Sequence, residues 1–128
     1  MKYNTFICFL SFILLFFSQN SFSNSKLNYF LFCSHIPEGN PFGLFFEDEK
    51  VTQIGVENFK KVLDYRESFL KKGNSLTWYN VVLNTKTLRL HIGKQNNFFA
   101  QCEKVKSSVE LNNMLEYFIK NEKNKNTI

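Results

Sequence analysis

A short apolar run near the amino terminus decides which part of this chain forms the folded domain. Residues 6–17 (FICFLSFILLFF) follow Lys2 and end at the polar and small residues 18–23. A membrane-spanning helix needs about 20 apolar residues, whereas a charged start, a shorter apolar run and small residues at alternate positions are typical of a secretory signal peptide. We therefore predict residues 1–23 to be a signal peptide cleaved after Ser23. Retention of the run as a membrane anchor is the alternative.

The cysteines constrain the fold of the remaining chain, residues 24–128, which is long enough for one small domain. Cys8 lies in the apolar run, so Cys33 and Cys102 remain. In an exported protein such a pair most simply forms a disulfide. The sequence Cys33-Ser34-His35 also suggests a catalytic thiol or a metal site, but the spacing of zinc ligands is missing. We predict the disulfide, with no metal and no cofactor.

Short strands separated by turn signals make up residues 24–106. We predict a mainly β fold there: an antiparallel meander that forms a small barrel or half-barrel of about seven strands. The strands are expected at residues 27–33, 42–46, 51–56, 65–70, 75–83, 87–92 and 98–105. The first strand is apolar throughout, which predicts burial on both faces. Residues 57–63 show helical spacing over too short a stretch, and we interpret them as an irregular crossing.

Turn lengths predict which side chains share the core face. A two-residue turn at residues 73–74 pairs Leu70 with Thr77. The core face of these strands is then formed by Phe69, Leu76, Trp78 and Val82. A three-residue loop at residues 84–86 adds the apolar side chains of the following strand, which are Leu88, Leu90 and Ile92.

Residues 107–128 are predicted to form an amphipathic helix with a polar tail from Asn121. Ser107 and Glu110 have the spacing of a capping box. The apolar residues repeat at helical intervals and are Leu111, Met114, Leu115, Phe118 and Ile119. We expect this stripe to pack against the sheet or to close one end of it. A helix that binds a partner or a membrane surface is the alternative.

Positive charge is concentrated in the middle of the chain. Residues 60–106 carry ten Lys or Arg against three acidic residues, which favours an acidic protein or an anionic envelope component as the partner. The register places four side chains together on the outer sheet face as a speculative ligand site: Arg66, Tyr79, Arg89 and His91. Two guanidinium groups suit a carboxylate or phosphate ligand. The alternative is an ordinary solvated strand face.

The residue pattern does not indicate an enzyme. His35 and His91 lack a Ser, Asp or Cys at the spacing of a nucleophilic or general acid–base site. The acidic residues Glu47, Asp48 and Glu49 lack the spacing of a calcium loop. We predict a non-catalytic, exported binding domain with no nucleic-acid partner and no stable membrane span after cleavage.

The order of these features resembles that of small periplasmic proteins of Gram-negative bacteria. The features are a cysteine in the first strand, the hairpin at residues 46–50, residues 75–78 (SLTW), residues 83–90 (LNTKTLRL) and a last strand with Cys102. The layout is also similar to that of the periplasmic inhibitors of C-type lysozyme, which are small β-barrels with a comparable disulfide. The resemblance implies a periplasmic location and, as the alternative function, lysozyme inhibition. The inhibitors' Ser-Gly-x-x-Tyr-type loop is replaced here by residues 69–74 (FLKKGN).

Overall fold

The structure of the chain is a computed structural model that describes residues 28–93 and 97–125. The predicted signal peptide, residues 1–23, lies outside the described residues, so its cleavage stays a prediction. Within the described ranges, no helix is long and apolar enough to cross a membrane.

Nine antiparallel strands and one helix form the described part of the chain, so the mainly β prediction is confirmed and the predicted number of about seven strands is too low. The elements are β1 (Tyr29–His35), β2 (Phe42–Glu47), β3 (Lys50–Glu57), β4 (Lys60–Ser68), β5 (Leu70–Lys72), β6 (Ser75–Trp78), β7 (Val81–Asn84), β8 (Arg89–Ile92), β9 (Asn97–Val105) and the helix α1 (Ser108–Lys125). All strands belong to one sheet in the order β4-β3-β2-β1-β9-β8-β7-β6-β5. The sheet is therefore a meander in which the first and last strands also pair.

The sheet is a nearly closed barrel because its two edge strands are neighbours in sequence. β4 pairs with β3, whereas β5 pairs with β6. Phe69 alone separates β4 from β5 in sequence, and its backbone N–H donates a hydrogen bond to the carbonyl oxygen of Glu49 at 3.1 Å. At Phe69 the chain thus changes from pairing with β3 to pairing with β6, and this brings the two edges of the sheet together.

The segment predicted to be an irregular crossing is instead a β-hairpin, and this prediction was wrong. Asn58 and Phe59 form its two-residue turn with φ values of 51° and 61°, and Glu57 pairs with Lys60. Positive φ at both positions matches the twist of the flanking strands. Phenylalanine rarely adopts positive φ. Because the turn also lacks the Asn-Gly pair that usually indicates such a hairpin, the sequence did not predict it. β4 consequently starts at Lys60, five residues earlier than expected.

Residues 75–83 were predicted to be one strand, but they form a second tight hairpin. Tyr79, with a φ of 48°, and Asn80 lie at the turn, and Trp78 pairs with Val81. The carbonyl oxygen of Asn80 accepts a hydrogen bond from the backbone N–H of Gly93. The turn is therefore bonded to a loop distant in sequence. It contains neither Gly nor Pro, the residues that most often indicate a turn.

Two turns were predicted with different success. The pairing of Leu70 with Thr77 across residues 73–74 is confirmed. The prediction of a three-residue loop at residues 84–86 was wrong, because Leu83 pairs with Leu90 and four residues connect β7 to β8. The Asn84 side-chain oxygen accepts two backbone N–H groups of this connection, at 2.9 and 3.2 Å. This local hydrogen bonding is typical of Asn in turns and lengthens the connection by one residue.

The barrel interior is filled by alternate apolar side chains of the strands. The fully buried residues include Leu31, Leu44, Phe46, Leu76, Leu83 and Leu90. Phe46 meets the rings of Phe69 and Trp78 edge-on, with ring centres 5.3 and 5.4 Å apart. Val82 and Ile92 do not join this core as predicted: Val82 pairs with His91 on the other face, and Ile92 is 47% exposed. The turn at residues 79–80, which was not predicted, exchanged the two faces of β7, because it pairs Trp78 with Val81 and Leu76 with Leu83.

The predicted disulfide between Cys33 and Cys102 is present, with an S–S distance of 2.01 Å. The two residues face each other in the β1/β9 pair, and their Cα atoms are 4.0 Å apart. Both side chains are buried. The bond therefore joins the first strand to the last at the point where the meander returns to its start.

Helix α1 packs on the outside of the barrel, against β1, β2, β4 and β9. Its buried side chains are Leu111, Leu115 and Ile119. Ser107 caps the helix as predicted, since its hydroxyl accepts the N–H of Glu110 at 3.1 Å. The Glu110 carboxylate accepts the N–H of Lys106 and thus differs from a standard capping box. The prediction that the polar tail begins at Asn121 was wrong, because the helix continues to Lys125.

Candidate functional site

Two of the four predicted ligand residues lie together on the outer face of β8. The Arg89 guanidinium carbon lies 4.9 Å from the centre of the Phe98 ring, and the His91 ring centre is 5.8 Å from it. Arg89 Nε donates a hydrogen bond to Gln101 Oε1 at 3.4 Å. The Nδ1 atom of His91 is buried and has no hydrogen-bond partner among the described residues. We call Arg89, His91, Phe98 and Gln101 the β8–β9 face.

The other two predicted ligand residues are placed apart. Tyr79 lies in the β6–β7 turn, with its ring centre 5.4 Å from that of Tyr65. Arg66 lies on β4, which is separated from β8 by four strands in the order of the sheet. The turn at residues 79–80 explains the position of Tyr79, because a continuous strand would have kept Tyr79 on the outer face. Arg66 lies apart because β4 pairs with β3 and not with β6. A joint ligand-binding role of the four residues stays a prediction.

A polar cleft opens where the β1–β2 loop passes a bulge between β3 and β4. The bulge arises because Asp64 has no partner in the register, which steps from the Gln53/Tyr65 pair to the Ile54/Leu63 pair. The cleft has a volume of about 380 Å³. We call it the bulge cleft; its polar side chains are His35, Glu38, Asn40, Gln53, Glu57 and Asp64. None of these residues was predicted to belong to a site.

The loop side of the bulge cleft is built by close packing around His35. The His35 ring centre lies 5.0 Å from that of Phe42 and 6.1 Å from that of Phe99. A Cβ atom at Gly39, where φ is 150°, would lie 2.7 Å from the Cβ of His35, so glycine is required here. Asn40 Nδ2 donates a hydrogen bond to the carbonyl oxygen of Val56 at 3.0 Å and ties the loop to β3.

The sheet side of the bulge cleft carries the Asp64 carboxylate above a glycine. A Cβ atom at Gly55 would lie 2.6 Å from Asp64 Oδ2, so the missing side chain leaves the space that the carboxylate uses. Gln53 Nε2 donates a hydrogen bond to the same oxygen at 2.9 Å. A glycine within a strand often marks a bulge or a close approach. Gly55 was therefore the one sequence signal that could have indicated this site.

A hydrogen-bond relay connects the Asp64 carboxylate to the barrel interior. Trp78 Nε1 donates to the Tyr65 hydroxyl oxygen at 2.7 Å, and the Tyr65 hydroxyl donates to Gln53 Oε1 at 2.7 Å. Burial raises the pKa of the Tyr65 phenol above 10.0; the Trp78 hydrogen bond opposes this shift and the nearby Asp64 charge adds to it. The relay, from Trp78 through Tyr65 and Gln53 to Asp64, spans three strands.

The charge of the bulge cleft is opposite to that of the chain. Its titratable side chains are three carboxylates and one imidazole, whereas the net charge of the chain is +5. Carboxylates in a concave surface attract positively charged ligands. No group of three or more His, Cys, Asp or Glu within the described ranges could hold a metal ion. The three carboxylates thus favour a positively charged ligand in the cleft.

Comparisons with known proteins add no family to this geometry. No protein-family model, curated protein or solved structure matches the chain. The resemblance to lysozyme inhibitors therefore stays a prediction, and a function has to be inferred from the side chains of the bulge cleft and the β8–β9 face.

Proposed function

We propose that this protein is an exported, non-catalytic binding domain that holds a cationic group of a peptide ligand in the bulge cleft. The observation that carries the proposal is the Asp64 carboxylate, which lies over Gly55 with one oxygen bonded to Gln53. A carboxylate held in this way keeps free lone pairs that accept hydrogen bonds from an ammonium or guanidinium group. Glu38 and Glu57 add negative charge to the same cleft. The ligand class is therefore a peptide with Lys or Arg side chains.

The location that we propose is the periplasm of a Gram-negative bacterium. The disulfide between Cys33 and Cys102 is compatible with an oxidising compartment. The predicted signal peptide supports export. Amino-terminal sequencing of the exported protein is expected to start at Asn24, and a sequence that starts at Met1 would support the anchored alternative.

A second candidate is an acidic protein or an anionic envelope component bound at the β8–β9 face. The observation that favours it is the position of Arg89, whose guanidinium lies over the Phe98 ring while its side chain remains exposed. An aromatic ring supports a guanidinium group without occupying its outer N–H donors. His91, two residues away, adds a second nitrogen-bearing side chain to this face.

The test is an NMR titration of the exported protein, with its disulfide formed, against trilysine and triglutamate. Trilysine is expected to shift the backbone amide signals of Asn40, Gly55 and Asp64, and the shifts should weaken as salt screens the charges. Triglutamate is expected to leave these signals unchanged. Shifts at Arg89 and His91 with triglutamate, without any effect of trilysine, would contradict the first candidate and support the second.

Matched variants separate local binding from the effect of overall charge. Glu57→Gln removes one carboxylate of the bulge cleft and is expected to weaken trilysine binding by about two- to fivefold, the value of an exposed ion pair. Glu103→Gln removes the same charge from an exposed position of β9 that does not line the cleft, and its affinity should match that of the native protein. Equal losses in both variants would show that only the net charge matters.

A further inference from the structure

Helix α1 lines an open groove on the outside of the barrel, beside its contact with the sheet. The groove has a volume of about 450 Å³. Its apolar side chains are Phe32 of β1 and Met114, Tyr117 and Phe118 of α1. Tyr117 is 69% exposed, whereas the buried leucines of the helix face the sheet. We call this surface the α1 groove; it is apolar and open to solvent.

The groove residues of α1 form one stripe along the helix. Successive residues of an α-helix are turned by about 100° and rise by about 1.5 Å. The apolar groove residues therefore share one flank with Glu110 in the first turn and Lys125 in the last turn. The stripe between these two charges is about 22 Å long. It is acidic at its amino-terminal end and basic at its carboxyl-terminal end.

We propose that the α1 groove binds the α1 groove of a second copy of this chain, with the two helices antiparallel. In this symmetric dimer Tyr117 contacts the partner's Phe118 at the twofold axis, and Glu110 lies opposite the partner's Lys125 at each end. Both contacts belong to one register, because residues 110 and 125 lie equally far from the centre between residues 117 and 118. The dimer is independent of the bulge cleft, since the two surfaces share no residue within the described part of the chain.

The charges of the stripe favour a second copy over other occupants. An antiparallel copy brings each acidic end against a basic end and places the two helix dipoles in opposite directions. Glu110 uses one carboxylate oxygen, Oε2, to accept the N–H of Lys106. Lys125 Nζ lies 3.3 Å from Glu122 Oε1, but the Lys125 side chain is 73% exposed. Both charged groups therefore keep hydrogen-bonding capacity for a partner, and the stripe is complementary to itself.

The centre of the stripe supplies the apolar contact of the dimer. Tyr and Phe rings bury large areas, and Met adapts its shape to its neighbours. Each contact of a symmetric interface occurs twice. An interface of one helix flank per copy is nevertheless small, and small interfaces form weak complexes. We therefore expect the dimer to dissociate on dilution.

Analytical ultracentrifugation of the exported protein, with its disulfide formed, tests the dimer over a series of concentrations. Tyr117→Glu puts a charge at the centre of the interface and is expected to weaken dimerisation by about tenfold or more. Val109→Glu introduces the same charge on another face of α1, at a residue that is 66% exposed, and should leave the dimer unchanged. A native protein that stays monomeric at every concentration would leave the groove to another ligand and overturn the proposal. Equal losses in both variants would overturn it as well.

Charge reversal tests the antiparallel register. Glu110→Lys and Lys125→Glu each place like charges at both ends of the dimer, and each should weaken it by about two- to fivefold per ion pair. A mixture of these two variants has opposite charges at both ends and should dimerise as the native protein does. Lys123→Glu reverses a charge of the same turn on another face and should have no effect. If the mixture dimerises no better than either variant alone, the proposed dimer is wrong, while the proposed function of the bulge cleft is unaffected.

Discussion

Tyr65 couples the hydrogen bonding of the relay to the stability of the fold. Burial raises the pKa of its phenol above the ordinary value of 10.0, against the effect of the Trp78 hydrogen bond and with a contribution from the Asp64 charge. The folded protein therefore keeps the Tyr65 proton at a pH at which the unfolded chain has begun to lose it. The resulting contribution to stability is complete below pH 10.0 and declines as the pH rises through the pKa of the folded state.

At the scale of this residue, we expect the free energy of unfolding of the native protein to fall when the pH is raised above 10.0. Part of this fall should be absent in Tyr65→Phe, which has no proton to lose at this position. Urea unfolding at a series of pH values measures both curves. The same pH dependence in the native protein and in Tyr65→Phe would show that the phenol is not shifted.

At the scale of elements, the contact between helix α1 and the sheet depends on a glycine in β2. Gly43 pairs with Phe32 on one side and Ile54 on the other, and it is buried beneath the helix. A Cβ atom at this position would lie 3.0 Å from Leu111 Cδ2. The strand thus leaves a slot for the first buried leucine of α1.

Filling this slot is expected to destabilise the protein. Gly43→Val should lower the free energy of unfolding by about 1–3 kcal/mol, the usual cost of overpacking. Leu111→Ala opens a cavity and should cost about 2–5 kcal/mol by itself. The double variant should lose less than the sum, because each change relieves the other. Urea unfolding of all three variants tests this, and strict additivity would contradict a direct contact.

At the scale of the whole molecule, the disulfide closes the longest loop of the meander. Cys33 and Cys102 are 69 residues apart in sequence and link the first strand to the last. Two contacts therefore keep the barrel in its closed form: the β1/β9 pair with its disulfide, and the continuous passage from β4 to β5. The first of these joins the first strand of the sheet to the last.

Loss of the disulfide is expected to lower the free energy of unfolding by about 4 kcal/mol, since a loop of this length loses much conformational freedom when it is closed. Thermal unfolding with and without dithiothreitol measures the effect. The double variant Cys33→Ala/Cys102→Ala should have the same free energy of unfolding as the reduced native protein, and dithiothreitol should not change it. A native protein whose thiols react freely before reduction would contradict the bond.

Local chemistry explains which features could be predicted from the sequence. The turn at residues 73–74, the Ser107 cap and the apolar stripe of α1 depend on residues a few positions apart, and all three were predicted. The turns at residues 58–59 and 79–80 could not be, because Phe59 and Tyr79 adopt positive φ values that their side chains disfavour. Pairing of the flanking strands outweighs this local preference, and such pairing is not visible in a short sequence window.

The sequence by itself determined that this chain forms a small, mainly β domain with one carboxyl-terminal helix and a single cysteine pair. Only the tertiary structure decided which side chains meet. The turn at Tyr79 exchanged the faces of β7 and removed Tyr79 from the predicted ligand site. The bulge cleft joins a loop to two strands, and its relay adds Trp78 from a third. Side-chain alternation is a local property, whereas contacts across a curved sheet depend on the register of every strand between them.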